Sequence, residues 1–140
     1  MIDSIQKKVH AVNAIIATLQ LKNVVTICSR AEELSRQKEF KHSFDYIIAR
    51  AVGPIKDIVL WSKPLLKPSR ETIATLHNNA SERPLIPSGA ILLLKGGELA
   101  DEIEEARRKL NPRYLHSFPI MVDGIDSSEL ADKKLVIVYP

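Results

Sequence analysis

With Cys28 as its single cysteine, the chain can build neither an intrachain disulfide nor a cysteine-based metal site. No apolar run reaches the ~18 residues needed to cross a bilayer, and the N-terminus lacks the basic-then-apolar pattern of a signal peptide. A cytoplasmic protein without a membrane partner is expected. The G-x-x-x-x-G-K pattern of a P-loop is missing, so Lys95-Gly96-Gly97 is only a weak anion motif. His10, His42, His77 and His116 are scattered without ligand spacing, and no Ser-His-Asp or His-Cys arrangement is present. Each histidine reads as a surface residue and no metal site is expected. Aromatic residues make up 5% of the chain, too few and too dispersed for the base-stacking series of single-strand binders. Internal repeats and low-complexity tracts are also absent.

What is present describes one globular domain. The 140 residues are 45% hydrophobic and 26% charged, enough apolar material for a core and too much for disorder. A formal charge of +3 and a pI near 9.0 permit nucleic-acid contact without demanding it, because the lysines and arginines form no single basic run.

Phe44 to Val52 reads as a strand, apolar and β-branched at its centre, of the kind buried on both faces in a parallel sheet. Met1-Ile2-Asp3 resembles the tail of another. Ser4 to about Leu21 carries Ile5, Val9, Val12, Ile16 and Leu19 at helical spacing, and Val24 to Cys28 is a short β-branched strand with Cys28 in the core. Ser29 and Glu32 have the spacing of a capping box for a brief helix. Gly53-Pro54 opens a helix whose buried stripe is Ile55, Ile58, Val59 and Leu65 or Leu66, and Pro64 and Pro68 close it. Ser69 to Ser88 reads as a long irregular connection. Ala90 to Leu94 is a strand ending at Lys95, Glu98 to Leu110 a helix with an acidic start and a basic finish, and Tyr114 to Val122 and Leu135 to Tyr139 two closing strands. Alternating strands and helices followed by a strand pair predict an α/β, doubly wound fold, mostly parallel with an antiparallel end.

Four strand ends finish on polar residues: Asp3, Ser29-Arg30, Arg50 and Lys95. In a parallel sheet these share one edge, the crevice where open α/β folds bind ligands. Each also has a plain explanation. Asp3 can cap the following helix, Glu32 can complete its box with Ser29, and the cations can be solvated strand ends. Lys95 is harder to dismiss, because Gly96-Gly97 allows close backbone approach and the next helix N-terminus favours an anion such as a nucleic-acid phosphate.

Taken together, Asp3-Ser4 leading into Lys7-Lys8, Arg30-Ala31-Glu32-Glu33, Phe44-Asp45 through Ala49-Arg50-Ala51-Val52, and Leu94-Lys95-Gly96 resemble the bacterial RsmG, or GidB, methyltransferases. The resemblance runs from Asp3 to about Glu105, with a weaker match from Leu135 to Tyr139, and the Ser69 to Ser88 connection looks like Bacteroidetes versions. It implies a class I methyltransferase (Rossmann-like) fold, S-adenosylmethionine as cofactor, and N7 of a guanine in 16S ribosomal RNA of the small ribosomal subunit as acceptor. By the same resemblance Asp3 faces the cofactor ribose, Ala31 and Glu32 hold the adenine, and Arg50 lies by the cofactor. Arg30 and Lys95 belong to the RNA-binding surface, with Arg50 and Lys95 the implied catalytic residues.

Family members carry a helical region, a first strand and a glycine-rich loop ahead of the position of Asp3. In the class I order, 3-2-1-4-5-7-6, that first strand lies between the Ile2 strand and the Phe44 to Arg50 strand. Residues 1–140 are therefore expected to form a partial S-adenosylmethionine-dependent methyltransferase domain, truncated and lacking the first strand, with an open central edge that invites self-association or rearrangement. Two alternative functions are a small-molecule methyltransferase and a non-catalytic α/β module that binds RNA or protein.

Overall fold

The computed structural model describes residues 1–69, 86–126 and 128–140. The elements are β1 (Ile2–Asp3), α1 (Gln6–Thr18), β2 (Ile27–Cys28), α2 (Ala31–Leu34), β3 (Tyr46–Arg50), α3 (Ile55–Ser62), β4 (Ala90–Gly96), α4 (Ala100–Leu110), β5 (Tyr114–Pro119) and β6 (Lys133–Tyr139). Most of the expected Ser69 to Ser88 connection lies outside the described residues.

The strands form two sheets, β1-β2 and β3-β4-β6-β5. β1 and β2 are parallel, as are β3 and β4, whereas β6 runs antiparallel to both β4 and β5. The orders β2-β1 and β3-β4-β6-β5 are those found on either side of the first strand in the class I methyltransferase order, 3-2-1-4-5-7-6. Among the described residues no strand pairs with β1 or β3 along the other edge of each.

The core lies between the four-stranded sheet and α3 and α4. Ile55, Ile58 and Val59 on α3 pack with Ile91 and Leu93 on β4, Ala106 on α4, and Val136 and Val138 on β6. Successive strand side chains point to opposite faces, so Ile47 and Ala49 of β3 join this core while Tyr46, Ile48 and Arg50 turn the other way. Ile48 is 70% exposed, which corrects the expectation of a strand buried on both faces. Among the described residues, helices cover one side of β3.

Charge placement fixes α4. Asp101 and Glu102 stand in its first turn and Arg107, Arg108 and Lys109 in its last, each sign at the dipole end that it stabilises. Asn111 ends the helix in the left-handed conformation at φ 43°, which asparagine tolerates better than most residues.

The β1-β2 half is thinner. Only Val9 of α1 is fully buried, and Leu19 is 62% exposed, so the apolar stripe on α1 is covered at its middle alone. The expected Val24 to Cys28 strand shrinks to two residues because its partner β1 is itself two residues long. Cys28 is exposed rather than part of the core, and its Sγ reaches the Ser4 carbonyl at 3.9 Å. Thr26 Oγ1 donates to Asn13 Oδ1 at 2.6 Å and ties this segment to α1.

Candidate functional site

An open hollow of about 620 Å3 runs along the whole of β3, from Phe44 to Val52, and past Met1 to Ser4; Asp3, Arg30, Ala31, Glu32 and Arg50 line it at the carboxyl ends of β1, β2 and β3, with Trp61 on its wall. It lies across the gap between the two sheets, at the point where chain connections lead away in opposite directions. The carboxyl-end part of the hollow stands at the switch point where open α/β sheets bind ligands.

Asp3 is held by the start of α1. Its Oδ1 accepts the Ile5 N–H at 2.8 Å, and Oδ2 lies 3.7 Å from Lys8 Nζ. The expected helix cap does not form, because Ile5 is the N-cap residue of α1 and no side chain caps the helix; Asp3 instead closes a tight turn ahead of it, and since a carboxylate has about four acceptor positions these contacts leave some open towards the hollow.

Ala31 and Glu32 begin α2, where the expected capping box does not form. Arg30 is the N-cap residue and no side chain caps the helix. Ser29 Oγ donates to the Arg30 carbonyl at 3.1 Å and reaches Glu33, not Glu32, at 3.5 Å. Glu32 is left facing the hollow with the Arg30 guanidinium 3.9 Å away.

Arg50 ends β3 on the face away from α3 and α4. Among the described residues no hydrogen bond or ion pair engages its guanidinium. Asp45, at the other end of this strand, is occupied structurally: both its carboxylate oxygens accept from Lys67 Nζ, at 2.9 and 3.0 Å.

Lys95 is placed differently. It does not line the hollow; its Nζ lies 2.7 Å from Glu102 Oε1 and donates to the Gly53 carbonyl at 2.9 Å. Asp3, Ala31, Glu32, Arg30 and Arg50 are brought together, and Lys95 stands behind them. A neighbouring network joins α3 to α4: Glu105 accepts from Lys109 at 2.6 Å and Lys56 at 3.1 Å. Those two ammoniums, Lys109 foremost, hold its carboxyl down at about 2.

Sequence reasoning missed Trp61 and Glu102. Trp61 follows the buried Ile58 by three residues on α3, spacing that places it towards the same side of the helix. Glu102 carries no signal beyond the acidic first turn that any helix welcomes. Among the described residues no group of three or more histidine, cysteine, aspartate or glutamate side chains could hold a metal, and no helix is long and apolar enough to cross a membrane.

Residues 1–83 match the family model described as rRNA small subunit methyltransferase G, GidB. Proteins named ribosomal RNA small subunit methyltransferase G are similar along most of the chain. That of Clostridium botulinum (strain Eklund 17B) is 36% identical over 115 residues, covering 79% of this chain and 48% of the relative. The Chlorobaculum tepidum protein is 32% identical over 142 residues, covering 98% and 53%, and one from Bacteroides fragilis is 32% identical over 138 residues, covering 99% and 55%. The chain thus spans about half the length of the curated relatives it matches. With a family model matched over more than half of the chain and relatives above 30% identity along most of it, the chain belongs to the rRNA small subunit methyltransferase G (GidB) family.

Proposed function

We propose that this chain supplies the ribose- and adenine-facing part of an S-adenosylmethionine site in an enzyme that methylates N7 of a guanine in 16S ribosomal RNA, in the cytoplasm. The observation that carries the reading is the convergence of Asp3, Ala31, Glu32 and Arg50 on one hollow at the switch point of the sheet order. The residues present fit the cofactor. Asp3 keeps acceptor positions for ribose hydroxyls, and Ala31 and Glu32 offer a small apolar wall beside a carboxylate for an amino-substituted ring.

Bound S-adenosylmethionine supplies an electrophilic methyl on a sulfonium. Guanine N7 already has a free lone pair, so the protein's task is to position the base against that methyl rather than to remove a proton. Arg50 orients the reacting groups from the hollow's rim, while Arg30 and the neighbouring basic surface attract the RNA backbone. This division of labour explains why no histidine or cysteine is needed for proton transfer.

The direct test is transfer of labelled methyl to small-subunit ribosomal RNA by a protein of the full family length that contains these residues. Label is expected at one guanine N7, with RNA binding that weakens steeply as salt rises. Absence of label from RNA, with transfer to a small molecule instead, would contradict the RNA assignment.

The bare edges favour a further partner, a second copy of the chain. Among the described residues one edge each of β1 and β3 has no strand partner, and Ile48 lies exposed on β3; such edges template strand addition. Residues 1–140 alone should sediment as dimers or larger species, shifting towards monomer in Ile48→Lys. A strictly monomeric wild-type chain at high concentration would refute this.

A further inference from the structure

α3 starts at Ile55 directly after Pro54, whose side chain has no acceptor to cap the exposed N–H groups of the first turn. The missing acceptor comes from another helix. Glu102, in the first turn of α4, takes the Ile55 N–H on Oε1. The same oxygen lies 2.7 Å from Lys95 Nζ, which also donates to the Gly53 carbonyl at 2.9 Å. One carboxylate and one ammonium thus grip a single turn at both ends, the first through an N–H and the second through a C=O. Their side chains are 25% and 15% exposed, so solvent screens the pair less than it would at an open surface.

The gripped turn continues the segment that forms the rim of the hollow. Ala51 and Val52 line that hollow, and Ala51 sits at φ 53°, a left-handed conformation that a residue with a β-carbon keeps only where its surroundings enforce it.

We propose that Lys95 and Glu102 form a two-ended clamp that sets the course of residues 51–55 and thereby the placement of Arg50, making both of them positioning residues for the site. Its functional consequence rests on the cofactor reading of the hollow; the clamp itself does not. A simple ion pair is indifferent to which residue carries which sign. This one is not, because Lys95 must donate to a carbonyl and Glu102 must accept from an amide.

Amide hydrogen exchange on the 140-residue chain tests the clamp without cofactor. In Glu102→Ala the Ile55 amide should exchange ~10- to 100-fold faster, as expected when a hydrogen bond to a charged group is lost, while Leu93 and Val136 in the β4-β6 ladder stay protected. Glu102→Gln retains a carbonyl acceptor without the charge and should exchange clearly more slowly than Glu102→Ala, within about tenfold of wild type, by that same reasoning. The swapped pair, Lys95→Glu with Glu102→Lys, should not restore protection. Restoration by the swap, or unchanged Ile55 exchange in Glu102→Ala, would overturn the clamp. Should Glu102→Ala lose protection throughout the sheet, Glu102→Gln and the swap decide, because a plain ion pair predicts loss in the first and recovery in the second. In methyl transfer by the family-length protein, a failed clamp would leave Glu102→Ala at the wild-type rate while Arg50→Ala is still impaired; a failed cofactor reading would leave the exchange results standing.

Discussion

Arg50→Ala in a protein of the full family length is expected to reduce methyl transfer by ~10²-fold or more, the scale expected when the reacting groups lose their alignment. Arg50 is exposed, lines the hollow and has no ion-pair partner among the described residues, so its removal should leave folding within about 0.5 kcal/mol of wild type, as for surface positions generally. Arg50→Lys keeps the charge but loses the planar fork, and intermediate activity is expected if shape matters as well as sign. The comparison is read from single-turnover rates at saturating S-adenosylmethionine, with thermal melting alongside. A variant that folds normally and transfers methyl at the wild-type rate would remove Arg50 from the proposed mechanism.

The second large effect concerns stability. Leu93 is fully buried, at 0% exposure, at the centre of β4, paired with Ala49 on one side and Val136 on the other. It packs beneath α3 and α4 in the main core. Leu93→Ala should cost ~2–5 kcal/mol, combining lost transfer energy with the cavity left behind. Against a typical total of ~5–15 kcal/mol for a domain, that is enough to unfold much of the population at moderate temperature. Ile48→Ala, in the neighbouring strand but on its bare face, should change the stability of the monomer, at protein concentrations too low for self-association, by less than about 0.5 kcal/mol. Urea titrations of both variants measure the contrast. Equal losses would mean that the bare face of β3 is covered in solution.

That contrast marks what the sequence could and could not reveal. The run Ile91-Leu92-Leu93-Leu94 announces a strand because it is apolar, short and bounded by glycine, and α4 is announced by its graded charge. Tyr46 to Arg50 announces a strand equally well, yet its apolar residues look the same whether or not a layer lies over them. Burial of Ile48 depends on what packs there, which local pattern does not encode. β2 fell short of expectation for the same reason: β-branched residues permit pairing, but the two-residue β1 limits it.

The placement of the candidate residues was legible where chain topology does the work. Asp3, Ala31 and Arg50 stand at or just after strand ends, β1 is parallel to β2 and β3 to β4, and all three residues line one hollow. Glu32 was open to two readings, and only the backbone angles at Arg30 release it from the capping box. Lys95 satisfies the same rule at the end of β4 but is drawn back by Glu102, seven residues later. A carboxylate in a helix's first turn is so generally favourable that its pairing with the preceding strand end leaves no separate trace in the sequence.

The central claim is that S-adenosylmethionine occupies the hollow bounded by Asp3 and Glu32, and calorimetric titration of the cofactor into the family-length protein tests it most directly. Glu32→Ala should weaken binding by ~10-fold or more, the loss of a charge-assisted hydrogen bond. Asp3→Asn, which retains an acceptor for the Ile5 N–H but offers one carboxylate oxygen fewer, should also weaken it. Wild-type affinity in both variants, with wild-type folding, would contradict the account.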